Sequence, residues 1–396
     1  MRKVGVCFFD DPQIAANGWT SVEGSKATRI SGHGELATDV LWVTNMGHQD
    51  HRRLNFQGSQ HIFDGQFFRT SISQLMDELG IDRSDSPAAC EILSGIFSRM
   101  AHLGQKKYGI DITSCNYRYF IATQDVLTPS FARGTPQGDQ PYLLQEAFKE
   151  ATQINQGMTG KSKPKGTTGV SFYFPRSAYA SHILSQKYPT GRKWTAIKKT
   201  NSETRFGTLR GDAIPGTKAI LETLNRINED HAAVFRVSVE SIDKDYSAFA
   251  TFGVSGPRSH PRHWATLPEI LEMARYSVVK IEEGFTCPAG PLDLVERFEF
   301  NYSESSIAES LLNENIWVGL CHKMDTHHTP LGAYMRAYDR IACNRAAEIL
   351  SQNNYTVGSY STGRVIMFLR PTQYNGAREI AKECGLLAPL SILENG

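Results

Sequence analysis

The chain lacks any run approaching 18 consecutive apolar residues, and its first residues lack the charged, apolar and small-residue sequence of a secretory signal. Neither a membrane-spanning helix nor an exported precursor is therefore expected. Cysteine is sparse: Cys7, Cys90, Cys115, Cys287, Cys321, Cys343 and Cys384 lie far apart, odd in number and without a CxxC pair. Such spacing excludes a disulfide framework or a zinc ribbon and points to reduced thiols in a cytosol-like compartment. Net charge is nearly absent as well, with 42 Lys and Arg against 41 Asp and Glu. The whole molecule has no strong field, so affinity for a polyanion must come from a local patch. No repeat of fixed period is present, which argues against a solenoid or propeller. With 40% hydrophobic and 21% charged residues over 396 positions, the chain reads as folded, with room for two to three domains.

Charge of one sign is concentrated in a single stretch. Between Gly157 and Arg210 stand Lys161, Lys163, Lys165, Lys187, Lys193, Lys198 and Lys199, together with Arg176, Arg192, Arg205 and Arg210, and only Glu203 opposes them. Phe172, Tyr173, Phe174, Tyr179, Tyr188, Trp194 and Phe206 are interleaved. Cations neutralise phosphates and release counterions, while aromatic faces stack unpaired bases, so nucleic-acid contact is expected here. The competing reading is a solvated basic linker whose aromatics pack into cores.

Along the chain, Lys3–Phe9 and Asp39–Thr44 read as buried strands. Ser71–Leu79, Ala88–Leu103 and Pro141–Asn155 read as amphipathic helices, and Tyr117–Ala122 as a strand between the last two. This alternation predicts an α/β domain ending near residue 156. The loop after the second strand carries His48, Asp50 and His51, and the stretch before Pro330 carries His322, Asp325, His327 and His328. Both contain metal-ligand residue types; the first lacks a complete four-ligand set, the second allows a zinc reading, and polar loops are expected at both. Downstream, Ala233–Val239 predicts a strand. Leu267–Tyr276 predicts a helix, with Thr266 as cap and Glu269 three residues on.

The stretch from Thr329 to Pro371 is the most ordered pattern. Leu331, Tyr334, Met335, Tyr338, Ile341, Ala342 and Ile349 follow a helical spacing of three and four, with Thr329 as cap and Pro330 in the first turn. Two β-rich runs, Tyr355–Ser359 and Arg364–Leu369, flank the short polar turn Tyr360, Ser361, Thr362 and Gly363.

Helix followed by hairpin resembles the end of the palm in family B DNA polymerases, especially the protein-primed, organellar and viral branch. In that family the tip reads Y-x-D-T-D-S, and its aspartates hold two catalytic metal ions. Here Ser361 and Gly363 stand where the family has carboxylates. The segment after Val239, ESIDKDYSAF, resembles the first palm motif. The resemblance gives Asp243 or Asp245 the metal-holding role, with the register one residue open. SSIAESLLNENIWVG resembles the second palm helix, with Asn313, Trp317 and Gly319 matching in kind and Glu309 near the place of the lysine that grips a triphosphate. A glutamate there repels a triphosphate. The first strand, ending at Asp10, resembles the start of an RNase H-like proofreading domain, although the usual D-x-E is replaced by Asp10, Asp11 and Pro12. Asp64, Asp111 and Asp125 are the further carboxylates within that reading.

The resemblance implies mixed α/β and α+β architecture. Its expected parts are an RNase H-like domain over 1–156, a basic nucleic-acid-binding linker region over 157–212 and a palm-like domain over 213–396, with the thumb absent. The expected function is that of a nucleic-acid-binding protein derived from such a polymerase, acting in replication or assembly of a virus or mobile element without polymerase activity. DNA is the expected partner, with proteins of a replication complex beside it and no membrane, in a cytoplasmic or virus-associated setting. One alternative is a metal-dependent nuclease using Asp10 and Asp64, or a diverged nucleotidyltransferase using Asp243 and Asp245. Either would need Mg²⁺ or Mn²⁺; no other cofactor is implied. Another alternative is a structural or assembly protein.

Overall fold

The first strand, β1 (Lys3–Asp11), is buried on both faces because its apolar residues are continuous. Val4, Val6 and Phe8 enter the main core, while Cys7 and Phe9 join a smaller cluster with Trp42, Met46 and Ile30 on the other face. The computed structural model describes residues 1–54, 61–62, 71–109, 111–113, 136–153, 157–158, 163–191, 193–197, 208–209, 217–242, 252, 254, 262–292, 306–322 and 329–389. In it β1 is the centre of a five-stranded sheet. Antiparallel β2 (Ala16–Val22) and β3 (Thr28–Gly32) extend one side; parallel β4 (Val40–Thr44) and β5 (His61–Ile62) extend the other.

Between β4 and β5 lies the short helix α1 (His48–Arg53), which replaces the expected polar loop. Helix α2 (Ile72–Leu79) opens on a capping box from Ser71. Helix α3 (Ser86–Tyr108) starts where the Asp85 side chain accepts the Ala88 amide at 3.1 Å and ends at left-handed Gly109. Leu93, Phe97 and Met100 form a stripe that packs against β1 and β2, whereas Ile92 is exposed. Tyr117–Ala122 lies outside the described residues.

The second sheet is built on β12 (His231–Ile242) and β14 (Ser277–Gly290), a long antiparallel pair with two register shifts. On it lie β13 (Trp264–Thr266), β10 (Lys193–Ile197) and β6 (Gln137–Gly138), while β9 (Tyr188–Pro189) and β11 (Thr208–Leu209) pair with β14. Gly284 in β14 has no room for a side chain, since a Cβ there would meet the Phe235 ring at 2.2 Å. Helix α4 (Pro141–Ala151) packs on β12 and β13. Residues 137–151 thus join the second sheet, not the N-terminal one. Helices α6 (Thr217–Asp230) and α7 (Leu267–Met273) lie against each other and β12.

The third sheet is antiparallel, in the order β7 (Gly157–Met158), β15 (Thr356–Ser361), β16 (Arg364–Leu369) and β8 (Thr168–Tyr173). Helix α9 (Pro330–Gln352) and helix α10 (Tyr374–Glu383) cover it, burying Leu350, Val357, Val365, Met367, Ala377 and Ala381 in one cluster. The remaining helices, α5 (Arg176–Leu184) and α8 (Ile307–His322), join this part to α3.

The described parts of the stretch expected to be a linker, 157–212, are therefore divided among the second and third sheets and helix α5. β7 and β8 flank the C-terminal hairpin, and β9, β10 and β11 line β14. Its aromatics explain why. Phe172, Tyr173, Tyr179, Tyr188 and Trp194 are all buried, so the core-packing reading holds for these five; Phe174 is half-buried and Phe206 lies outside the described residues.

Candidate functional site

The hairpin of β15 and β16 closes in two residues, since Ser361 pairs with Arg364 and leaves only Thr362 and Gly363 between. The turn is two residues shorter than the sequence pattern implies, because Tyr360 and Ser361 belong to β15. Both central residues are left-handed, with φ of 52° at Thr362 and 68° at Gly363. Two-residue hairpins with positive φ at both positions follow strand twist well but favour Asn-Gly. Glycine enters this region freely; a β-branched threonine does so at a cost.

A carboxylate holds the turn in place. Asp339, buried on α9, accepts the Thr362 amide at 2.7 Å through Oδ2 and the Gly363 amide at 2.7 Å through Oδ1. The Tyr179 hydroxyl donates to Oδ1 at 2.6 Å, and the Cys343 thiol reaches the same oxygen at 3.6 Å. Burial pushes the Tyr179 and Cys343 pKa values up, and the charge of Asp339 adds to this, so both groups stay protonated as donors. Four donors around one buried carboxylate fix the tip to α9 with charge-assisted bonds. Sequence reasoning missed Asp339: in the pattern it is one more polar position on an amphipathic helix.

Tyr179 also links the tip to the second motif. Its ring stacks on Phe174 at 4.6 Å and meets the Trp317 ring edge-on at 5.4 Å. Asn313, one turn before Trp317 on α8, is buried, and its Oδ1 has no partner among the described residues. Trp317 and the hairpin, two segments joined by the sequence resemblance, thus meet through one tyrosine. Glu309, in the first turn of α8, is paired with Lys107 of α3.

The other expected site residues are scattered. Asp10 lies half-exposed at the end of β1 and is paired with Arg29 through both oxygens. Asp64, Asp243 and Asp245 lie outside the described residues, as do Asp125, Asp325, His327 and His328. Asp111 accepts from Thr113 and pairs with the N-terminal amine at 3.6 Å. Asp50 pairs with Arg53 at 3.3 Å. Among the described residues no three His, Cys, Asp or Glu side chains are grouped to hold a metal. Asp10, the one described member of the expected metal set, faces Arg29, and the two turn residues of the hairpin tip, Thr362 and Gly363, carry no carboxylate.

Of the basic residues, Lys163 and Lys165 are exposed just before β8, at the sheet end away from the turn, and Lys193 is exposed on β10. Lys161, Arg192, Lys198, Lys199, Arg205 and Arg210 lie outside the described residues. Arg176 is a correction. Its guanidinium is buried, donating to Glu78 of α2 at 2.7 and 3.0 Å and to Glu314 of α8 at 2.5 Å. Burial alone would lower its pKa, but Glu314 and Glu78 more than offset this and hold it charged. A guanidinium so enclosed ties three helices together and presents no face to phosphate.

A second buried network closes the back of α9. Glu269 accepts from Arg262 at 2.7 Å, from Arg340 at 2.8 Å and from the Thr266 amide at 3.1 Å. Arg340 also donates to the carbonyls of Ala151 and Gln153 at the end of α4, at 3.0 and 3.1 Å. Burial tends to raise the Glu269 carboxyl, but Arg262 and Arg340 bring it down to about 2. No described helix is long and apolar enough to cross a membrane.

The sequence matches no protein-family profile and no curated protein. Its fold is similar to solved DNA polymerases at low identity. Phi29 DNA polymerase in its orthorhombic crystal form aligns at a TM-score of 0.47 and 11% identity, covering 93% of this chain and 80% of that one. The same polymerase complexed with single-stranded DNA aligns at 0.46 and 12%, with the same coverage. The family B DNA polymerase of the hyperthermophilic archaeon Pyrobaculum calidifontis aligns at 0.29 and 9%, covering 97% of this chain and 55% of that one.

Proposed function

We propose that the protein binds nucleic acid on a palm-like scaffold that no longer supports nucleotide addition, in replication or assembly of a virus or mobile element. The observation that carries this reading is the state of the hairpin tip. Where the resemblance puts metal-holding aspartates, a two-residue turn is bound through both of its amides to Asp339. Phosphoryl transfer depends on positioned metals and cationic clamps. The tip supplies no carboxylate, and Glu309, in place of the triphosphate-gripping lysine, faces Lys107. The RNase H-like reading of the N-terminal part is supported by the central β1 ending in Asp10 and Asp11. The exposed Lys163, Lys165 and Lys193 remain as phosphate contacts, with Lys161, Arg192, Lys198, Lys199, Arg205 and Arg210 beside them in sequence. DNA is the proposed partner.

The test is a labelled primer-template incubated with the full chain, nucleotides and Mg²⁺ or Mn²⁺. Retained binding with neither extension nor degradation is expected. Extension abolished by Asp243→Ala, or degradation abolished by Asp10→Ala, would replace the proposal with an enzymatic one.

A further inference from the structure

On the side formed by α2, α8 and α10 lies an open groove of about 660 Å³. This is the size of a small-molecule pocket, about 300–1,000 Å³. Half-buried Leu79 of α2 contributes apolar surface to it, and the buried Leu75, Leu311 of α8 and Leu386 after α10 back it from the core. Two of the few large apolar side chains exposed in the described structure stand on its rim, Ile307 at 48% and Leu387 at 46%. Clustered apolar exposure of this kind marks an interaction surface more often than scattered exposure does.

Charge is unequal across the groove. Asp77 and Glu78 on the α2 side are already matched, by Arg83 and Arg176. On the α10 side Arg378 and Lys382 are four residues apart, on one helix face. Among the described residues Arg378 is opposed only by its exposed neighbour Glu379 at 3.3 Å, a weak and solvent-screened pair. Lys382 is exposed, with no ion pair among the described residues. A small molecule seated within the cavity would leave the rim wet. An occupant that also covers Ile307 and Leu387 must be broader than the cavity itself.

We infer that this groove docks an amphipathic acidic helix from a partner protein. Its apolar residues, spaced by three and four, fill the wall between α2 and α8, and its carboxylates meet Arg378 and Lys382. Helix-in-groove recognition joins an apolar anchor to flanking charge in this way, with the charge setting orientation and partner choice. The inference is independent of the nucleic-acid reading, because it uses none of the residues proposed for phosphate contact.

The probe is a displayed library of random 16-residue peptides selected against the full chain. Parallel selections use Ser310→Trp, which plugs the groove, and the double variant Arg378→Glu with Lys382→Glu, whose side chains lie on an exposed helix face. Peptides with apolar residues at three-four spacing and flanking Asp or Glu are expected on the unaltered chain. Ser310→Trp should lose them. The double variant should bind them at least about tenfold more weakly and select Lys- or Arg-flanked peptides instead. Thermal melts of both variants separate loss of docking from loss of fold. No enrichment over Ser310→Trp, or enrichment indifferent to the charge reversal, overturns the inference. Self-association of the chain abolished by Ser310→Trp overturns it too, in favour of a second copy.

Discussion

Asp339 and Arg176 are polar residues whose partners decide what they do. Asp339 holds a turn that contains a left-handed threonine. Asp339→Asn leaves the Tyr179 and turn donors competing for a neutral acceptor, and a loss of about 2–3 kcal/mol in urea unfolding is expected. Thr362→Asn removes the β-branched residue from a position that favours asparagine and should stabilise by about 0.5–1 kcal/mol in the same measurement. A destabilised Thr362→Asn would mean that the threonine side chain makes a contact worth more than its strain. Arg176→Met strands the buried Glu314 and should cost about 3–5 kcal/mol. Nucleic-acid affinity of the folded fraction should stay unchanged; a selective loss of affinity would return Arg176 to the contact surface. None of these roles was legible in the sequence. Arg176 lies 98 residues from Glu78 and 138 from Glu314, and nothing local distinguishes a lysine or arginine that faces water from one that closes an internal ion pair.

At the scale of elements, much more was legible. Thr329 caps α9 as its position implies, accepting the Gly332 amide at 3.1 Å. The helix runs to Gln352, and both hairpin strands follow within a residue or two of the pattern. Those features are local: a cap, a three-four repeat and a two-residue alternation each act within one segment. What the pattern could not convey is that α9 is buried on faces that also carry Arg336, Asp339, Arg340 and Asn344. Glu269 illustrates the difference. Its position three residues after Thr266 marks a helix start, and the bond to the Thr266 amide exists. Its larger part in the fold, neutralising Arg262 and Arg340, is tertiary. Because its folded pKa of about 2 lies below the reference value of 4.5, its contribution is fully present above pH 4.5. It is lost as the pH falls from there towards 2. Urea melts at pH 6, 4.5 and 3 should therefore show Glu269→Gln markedly less stable at pH 6, with the gap narrowing at pH 3. A gap that stays constant would remove Glu269 from that role.

For the whole molecule, one segregated charge block in the sequence becomes several places in the structure. Lys163 and Lys165 precede β8 in the four-stranded sheet, Lys193 lies on β10 in the seven-stranded sheet, and Arg176 is internal. The aromatics between them were drawn inward because strands β8, β9 and β10 each contribute to a core. Composition reported the charge faithfully, but spacing along the chain said nothing of where the strands would carry it. Binding is accordingly expected to be electrostatic and tolerant of sequence, with little base stacking from this stretch.

The most direct test of the account is the affinity of the full chain for a single-stranded oligonucleotide measured across salt concentrations. A steep fall in affinity is expected, with the slope of log affinity against log salt reduced by about 2 when Lys161, Lys163 and Lys165 are all changed to Gln. Binding indifferent to salt, or a slope untouched by the triple change, would contradict it.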